Sequence, residues 1–146
     1  MPHNEIVLMA EDDEHDVMAT RRAWKKCNIE DTLVVVRNGE ECLDYLYRRG
    51  DYADAKLHPA PKLLLLDLNM PKLGGIDVLE AIHGDEKFSS LPVVILTTSD
   101  NEPDLKKCYA LGANAYIIKP IGFDKFTDAI KKIDMFWKLV KVPSTT

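Results

Sequence analysis

Four short apolar runs of this chain each give way to side chains that can manage a negatively charged reactant. Residues 6–10 lead into Glu11-Asp12-Asp13-Glu14 and residues 63–66 into Asp67. Residues 93–97 close on Thr97, followed by Thr98, and residues 115–118 lead into Lys119-Pro120. Glu11, Asp12 and Asp67, once crowded together, repel one another unless something positive intervenes. A hard divalent cation meets that need, since Mg2+ takes oxygen ligands and combines one or two carboxylates with a substrate phosphate; Mn2+ is an alternative ion. Asp67 is then a candidate nucleophile, because carboxylates form aspartyl-phosphate intermediates. Phosphoryl transfer asks mainly for in-line positioning and for neutralisation of three equatorial oxygens. The cation can take one oxygen, the Lys119 ammonium a second, and the Thr97 hydroxyl with a backbone N–H the third.

Each residue also has an ordinary reading. The four acids could cap a helix, where negative charge favours the positive end of the dipole; Asp13 and Glu14 suit that role, while Glu11 and Asp12 stand too close to the strand. Asp67 alone could be a turn residue, Thr97 a strand-end β-former and Lys119 a solvated charge. Four strand ends carrying complementary chemistry favour function over coincidence.

The elements that must position these groups follow from hydrophobic patterning. Residues 6–10, 32–36, 63–66, 93–97 and, more weakly, 115–118 are short and apolar throughout, the mark of strands buried on both faces. Mixed polar and apolar segments of helical length are predicted at about 14–27, 39–50, 75–86, 102–111 and 122–141. Five strands alternating with five helices form a (βα)5 unit, an α/β doubly wound five-stranded parallel sheet with helices on both faces. In such sheets ligands sit outside the carboxyl ends of the strands, the edge at which Glu11, Asp12, Asp67, Thr97 and Lys119 stand.

Composition narrows the class further. At 146 residues, 46% hydrophobic and 29% charged, the chain is expected to form one domain over 1–146, with a core at about 5–134 and a C-terminal extension at 135–146. Its net charge of −5 disfavours nucleic acid as a direct partner. No window is apolar enough to span a membrane, and the first residues have no signal-peptide pattern. Three cysteines without paired spacing argue against a disulfide framework or zinc site and fit a cytoplasmic setting.

Asp67-Leu68-Asn69-Met70-Pro71, followed by Gly75, resembles the phosphoacceptor signature of receiver domains in two-component response regulators. Glu11-Asp12, Thr97 and Lys119-Pro120 match the remaining signature positions, and the likeness covers nearly the whole chain. It implies a flavodoxin-like strand order 2-1-3-4-5 and phosphorylation on Asp67 by a sensor histidine kinase. It also implies Mg2+ held by Asp12, Asp67 and the backbone carbonyl of Asn69, with Glu11 acting mainly through a bound water. Lys119 would pair with the phosphoryl group, and the Lys119–Pro120 bond would be cis, as it usually is in the family. Asn69 and Ser99 fill two variable positions that tune the lifetime of the phosphoryl group. Gly74 departs from the many receivers with a polar residue there, which bears on loop stiffness and helix capping. Tyr116 matches the aromatic switch position: a phosphoryl group would draw Thr97 inward, Tyr116 would repack, and the face built by the fourth helix, fifth strand and fifth helix would signal through protein contacts.

The last helix carries an independent lead. Phe123, Phe126, Ile130, Ile133, Trp137 and Val140 form one apolar stripe, while Met135, Phe136, Leu139 and Val142 make its final turns apolar on other sides too. Large exposed apolar patches mark interfaces, so Phe136, Trp137, Leu139 and Val140 are a candidate homodimer face. Residues 51–61 are long for a connection between a helix and the next strand. With Phe136-Trp137 they make the chain similar to the single-domain response regulators that partner bacterial phytochromes. No residues remain after about 142 for an output domain, so a stand-alone switch is expected rather than direct control of transcription.

Three other functions compete. A haloacid-dehalogenase-like phosphatase would want a second acid two residues after the nucleophile, where this chain has Asn69. A flavodoxin-like cofactor binder would want a Ser/Thr/Gly-rich phosphate cradle after the first strand, where four acids stand. A constitutive interaction module with a vestigial site would lack a signature residue, and none is missing. The expectation is a phosphoacceptor that assists its own phosphorylation and dephosphorylation without turning over external substrates.

Overall fold

The alternation of apolar runs and amphipathic segments condenses into a five-stranded sheet flanked by five helices. The computed structural model describes residues 5–139. In chain order these are β1 (Ile6–Ala10), α1 (Glu14–Lys26), β2 (Thr32–Val36), α2 (Gly39–Tyr47), β3 (Leu63–Leu66), α3 (Gly75–Ile82), β4 (Val93–Thr97), α4 (Glu102–Ala110), β5 (Ala115–Ile118) and α5 (Phe123–Leu139). The strands lie in the order β2-β1-β3-β4-β5, all neighbours parallel, which is the flavodoxin-like arrangement.

The central strands β1 and β3 are apolar at every position, and β4 is apolar up to Thr97, because each face of the sheet has its own core. Leu8, Ala10, Val36, Leu64, Leu66 and Ile95 point to one side and pack with α2, α3 and α4. Val7, Met9, Leu63, Leu65, Val94 and Leu96 point to the other and meet Ala23 of α1 and Phe126, Ile130 and Ile133 of α5. Period-two alternation of side chains thus divides one run between two cores. Register then fixes the functional edge: Ala10 pairs with Leu66 and Thr97 with Ile118, so β1 and β3 end level with each other, as do β4 and β5.

Helix ends account for the differences from the predicted spans. Asp13 caps α1, its carboxylate accepting from the backbone N–H of His15 and Asp16, and Asn38 caps α2 in the same way through Glu41. The second helix stops at Tyr47 because Arg48 turns into the left-handed region at φ 56°. The third stops at Ile82, four residues short of the predicted end: His83 is extended and Gly84 takes φ 80°, so residues 86–88 form a separate single turn. Residues 51–61 are pinned rather than adrift. The Tyr45 hydroxyl donates to the Pro59 carbonyl at 2.8 Å, and the rings of Tyr45, Tyr52 and His58 pack at centroid distances of 5.0–5.9 Å. Among the described residues no helix is long and apolar enough to cross a membrane.

Candidate functional site

Two backbone hydrogen bonds carry the sheet one residue past its strands and set the acids side by side. Glu11 N–H donates to the Val36 carbonyl at 2.9 Å, and Asp67 N–H donates to the Ala10 carbonyl at 3.1 Å. Asp67 is therefore held at the tip of the central strand, with Oδ1 accepting from the Leu68 N–H at 2.8 Å. Carboxylate oxygens of Glu11, Asp12 and Asp67 lie within 4.8 Å of one another; Asp12 is exposed and the other two are buried. Lys119 follows β5, its backbone N–H donating to the Thr97 carbonyl at 2.7 Å. Its buried ammonium reaches Glu11 Oε1 at 2.5 Å, Asp16 Oδ2 at 2.7 Å and Asp67 Oδ2 at 3.4 Å. Thr97 is fully buried, and its hydroxyl accepts from the Ser99 N–H at 3.2 Å.

The electrostatics follow from this crowding. Burial pushes the Glu11 carboxyl up to about 7, with the Asp67 charge adding to it and Lys119 opposing it. For Lys119 burial works against the charge, yet the hydrogen bonds to Asp16 and Glu11 and the charges of Glu11 and Asp67 outweigh it and hold the ammonium above its usual range. One cation among so many acids leaves the cluster strongly negative. An all-oxygen donor set with surplus negative charge fits a hard divalent ion better than any softer metal.

Glycine is needed where the loop after β3 folds back. A Cβ on Gly75 would lie 2.3 Å from the Asp67 carbonyl oxygen, and the Gly75 N–H donates to the Leu68 carbonyl at 2.9 Å. Gly75 thus closes the loop tightly against Asp67. Gly74 does not leave α3 uncapped: its N–H donates to Asp77 Oδ2 at 3.0 Å. Asn69 is exposed on the same loop, directly after Leu68.

The structure brings Glu11, Asp12, Asp67 and Lys119 together, as the sequence predicts, and sets Thr97 at the neighbouring strand end. Tyr116 lies one strand further over, half-buried, its hydroxyl donating to the Ser99 carbonyl at 2.9 Å; the Ser99 hydroxyl in turn donates to Asp104 Oδ2 at 2.8 Å. One expectation is corrected. No cis peptide occurs among the described residues, so the Lys119–Pro120 bond is trans. Trans is the lower-energy isomer by about 0.5–1 kcal/mol before proline, and Lys119 reaches all three acids in it.

One member of the cluster escaped the sequence reading. With Asp13 as N-cap, Asp16 is the third residue of the first turn of α1, and helical side chains lean back toward the N-terminus. That direction carries its carboxylate over the strand tips. The cap was legible; the lysine 103 positions away was not.

Of the candidate dimer face, Phe136 is exposed and Trp137 half-buried, with the Lys62 ammonium 5.3 Å from the Trp137 ring centroid. The Leu139 side chain and all of Val140 lie outside the described residues. Trp137 borders two adjoining cavities of about 720 and 680 Å³ at the amino edge of the sheet, far from Asp67.

Residues 7–131 match the response regulator receiver domain family. The chain belongs to that family. This receiver is 34% identical over 132 residues to the probable methanogenesis regulatory protein FilR2 of Methanothrix harundinacea, covering 90% of this chain and 83% of the relative. It is 33% identical to the response regulator Rcp1 of Synechocystis, covering 90% and 88%. The crystal structure of Mn2+-bound Rcp1 superposes with a TM-score of 0.86 at 33% identity, over 96% of this chain and 99% of that one. The phosphorylated cyanobacterial phytochrome response regulator RcpA superposes with a TM-score of 0.89 at 35% identity, over 97% of this chain and all of the other. The chain is thus a receiver of two-component signalling, whose function is phosphorylation-dependent signalling. Receivers take their phosphoryl group from sensor histidine kinases and bind a divalent metal, which the Glu11, Asp12 and Asp67 cluster suits.

Proposed function

We propose that Asp67 is the phosphoryl acceptor and that Lys119 and Thr97 stabilise the transferred group. The observation that carries this reading is the placement of Asp67 Oδ2. Its twin Oδ1 is occupied by the Leu68 N–H, whereas Oδ2 faces the Lys119 ammonium and is the oxygen left to bond phosphorus. In transfer from a phosphohistidine, Oδ2 attacks phosphorus in line, the phosphorus–nitrogen bond breaks, and the imidazole leaves with the bonding pair. Lys119 then donates to one phosphoryl oxygen and the buried Thr97 hydroxyl to another. Hydrolysis reverses the outcome, with water attacking phosphorus and the Asp67 carboxylate leaving. The chain assists both steps and turns over no external substrate.

When bound, Mg2+ (or Mn2+) supplies positive charge to a phosphoryl oxygen. Asp12, Asp67 and the backbone carbonyl of Asn69 are the residues that would hold it. Glu11 would act through a water, a role supported by its own bonding: Oε1 is taken by Lys119 and Oε2 accepts from the Asp13 N–H at 3.1 Å.

The switch is read as a shift in Thr97 and Tyr116 that reshapes the α4-β5-α5 face for protein partners. The kinase is of a phytochrome type, a reading supported by the likeness to RcpA. Residues 1–146 act as one receiver unit, with a core at about 5–134, in the cytoplasm. A homodimer forms through the region of Phe136, Trp137, Leu139 and Val140.

Acetyl phosphate with Mg2+ tests the acceptor. Intact mass should gain one phosphoryl group that hydroxylamine removes, and Asp67→Asn should abolish it. A label persisting in Asp67→Asn, or mapping to another side chain, overturns the reading.

A further inference from the structure

We infer that Asp16 is a positioning residue for phosphoryl transfer, holding the Lys119 ammonium so that its third N–H faces the Asp67 oxygen that receives the group. The inference rests on the acceptor assignment above and adds to it a residue outside the receiver signature.

An ammonium has three donors, and in this structure each has one carboxylate: Glu11 at 2.5 Å, Asp16 at 2.7 Å and Asp67 at 3.4 Å. The two short contacts anchor the group; the long one is the working direction. Glu11 and Asp67 belong to the trio of acids that converge within 4.8 Å, so a cation there competes with lysine for them. Asp16 stands outside that trio and is the one carboxylate whose hold on Lys119 a bound cation does not contest. Its own place is fixed. Asp16 N–H donates to the Asp13 cap at 3.3 Å, its carbonyl accepts from the Thr20 hydroxyl at 2.7 Å, and buried Val17, Thr20 and Ala23 bind α1 to the sheet. Lysine, by contrast, hangs its charge on a flexible four-carbon stem. A rigid helical carboxylate opposite the reacting oxygen removes that freedom before the phosphodonor arrives, which is how orientation lowers a barrier.

The test uses the full chain with saturating Mg2+ and acetyl phosphate as the probe, comparing Asp16→Ala, Asp16→Asn, Lys119→Ala and the Asp16→Ala/Lys119→Ala double variant. Labelling should slow about tenfold in Asp16→Ala and recover to within about threefold of the parent in Asp16→Asn, which keeps an acceptor oxygen. In the Lys119→Ala background, loss of Asp16 should cost nothing further, because coupled residues are non-additive. Nitrogen-15 NMR of the metal-free protein should show the Lys119 ammonium resonance moving in Asp16→Ala. If Asp16→Ala fails to fold, Asp16→Leu, which keeps side-chain bulk in the helix but offers no acceptor oxygen, and its double with Lys119→Ala carry the same comparison. An unchanged rate in Asp16→Ala, or an equal loss with and without Lys119, overturns the proposal while leaving Asp67 as acceptor. Label surviving in Asp67→Asn overturns the acceptor assignment, and the role of Asp16 with it.

Discussion

At the carboxyl edge of the sheet the strands release Glu11, Asp67 and Lys119 into reach of one another, with Thr97 at the neighbouring strand end; at the amino edge the same strands begin among Leu63, Pro92, Val93 and Trp137 around two largely apolar cavities. The central strands β1, β3 and β4 are buried along nearly their whole length and so do not make the difference. What differs is the residue that follows each strand. One edge crowds acids around a single ammonium and holds Glu11 far above its ordinary value of 4.5, a cost accepted where chemistry needs charge. The other adds burial through Phe88, Leu91 and Trp137 and carries no comparable strain.

The largest effect should come from removing the ammonium. Lys119→Ala leaves buried carboxylates unpaired, and urea unfolding of the metal-free protein should show a loss of about 3 kcal/mol together with labelling that is slowed but still measurable. A smaller loss would mean that water relieves the carboxyl edge. Next, Mg2+ at a hundred times its dissociation constant should raise unfolding stability by about 2.7 kcal/mol. Asp12→Asn should cancel that gain while changing the metal-free protein little. The sign of the pH dependence follows from Glu11: between about 4.5 and 7 the folded metal-free chain keeps a proton that the unfolded chain has released. Its contribution to stability therefore falls as pH rises across that window, and Glu11→Gln should remove the slope. The smallest effect belongs to the amino edge. Trp137→Ala should cost about 2 kcal/mol, less than a fully buried aromatic, with no change in acetyl phosphate labelling. Phe136→Glu should leave the fold intact and, on the homodimer proposed above, make the chain sediment as a monomer where the parent sediments as a dimer. Slower labelling in Trp137→Ala would show the two edges to be coupled and would break the contrast.

Much of this was legible in the sequence for one physical reason. The apolar runs hold no charged residue, so a charged residue directly after one marks the strand tip, and Asp67 and Lys119 declare themselves. Glu11 and Asp12 stand out likewise, since Asp13 and Glu14 suit the capping role and the other two stand too close to the strand for it. What stayed hidden depends on contacts between distant segments. Asp16 is one of the acids in the first turn of α1, and only the arrival of β5 sets Lys119 against it. The early end of α3 turns on the conformation of His83 and Gly84, and the pinning of residues 51–61 on a tyrosine that the pattern marks only as apolar. The trans bond before Pro120 departs from a family habit, something no local rule encodes.

Ser99 is tied at once to three places: its N–H to the Thr97 hydroxyl, its side chain to Asp104 on α4, and its carbonyl to Tyr116 on β5. The Thr97 oxygen that accepts from Ser99 still has its own proton to give. A tug on that threonine is therefore felt by a helix and a strand simultaneously, through one residue, with no relay across the interior.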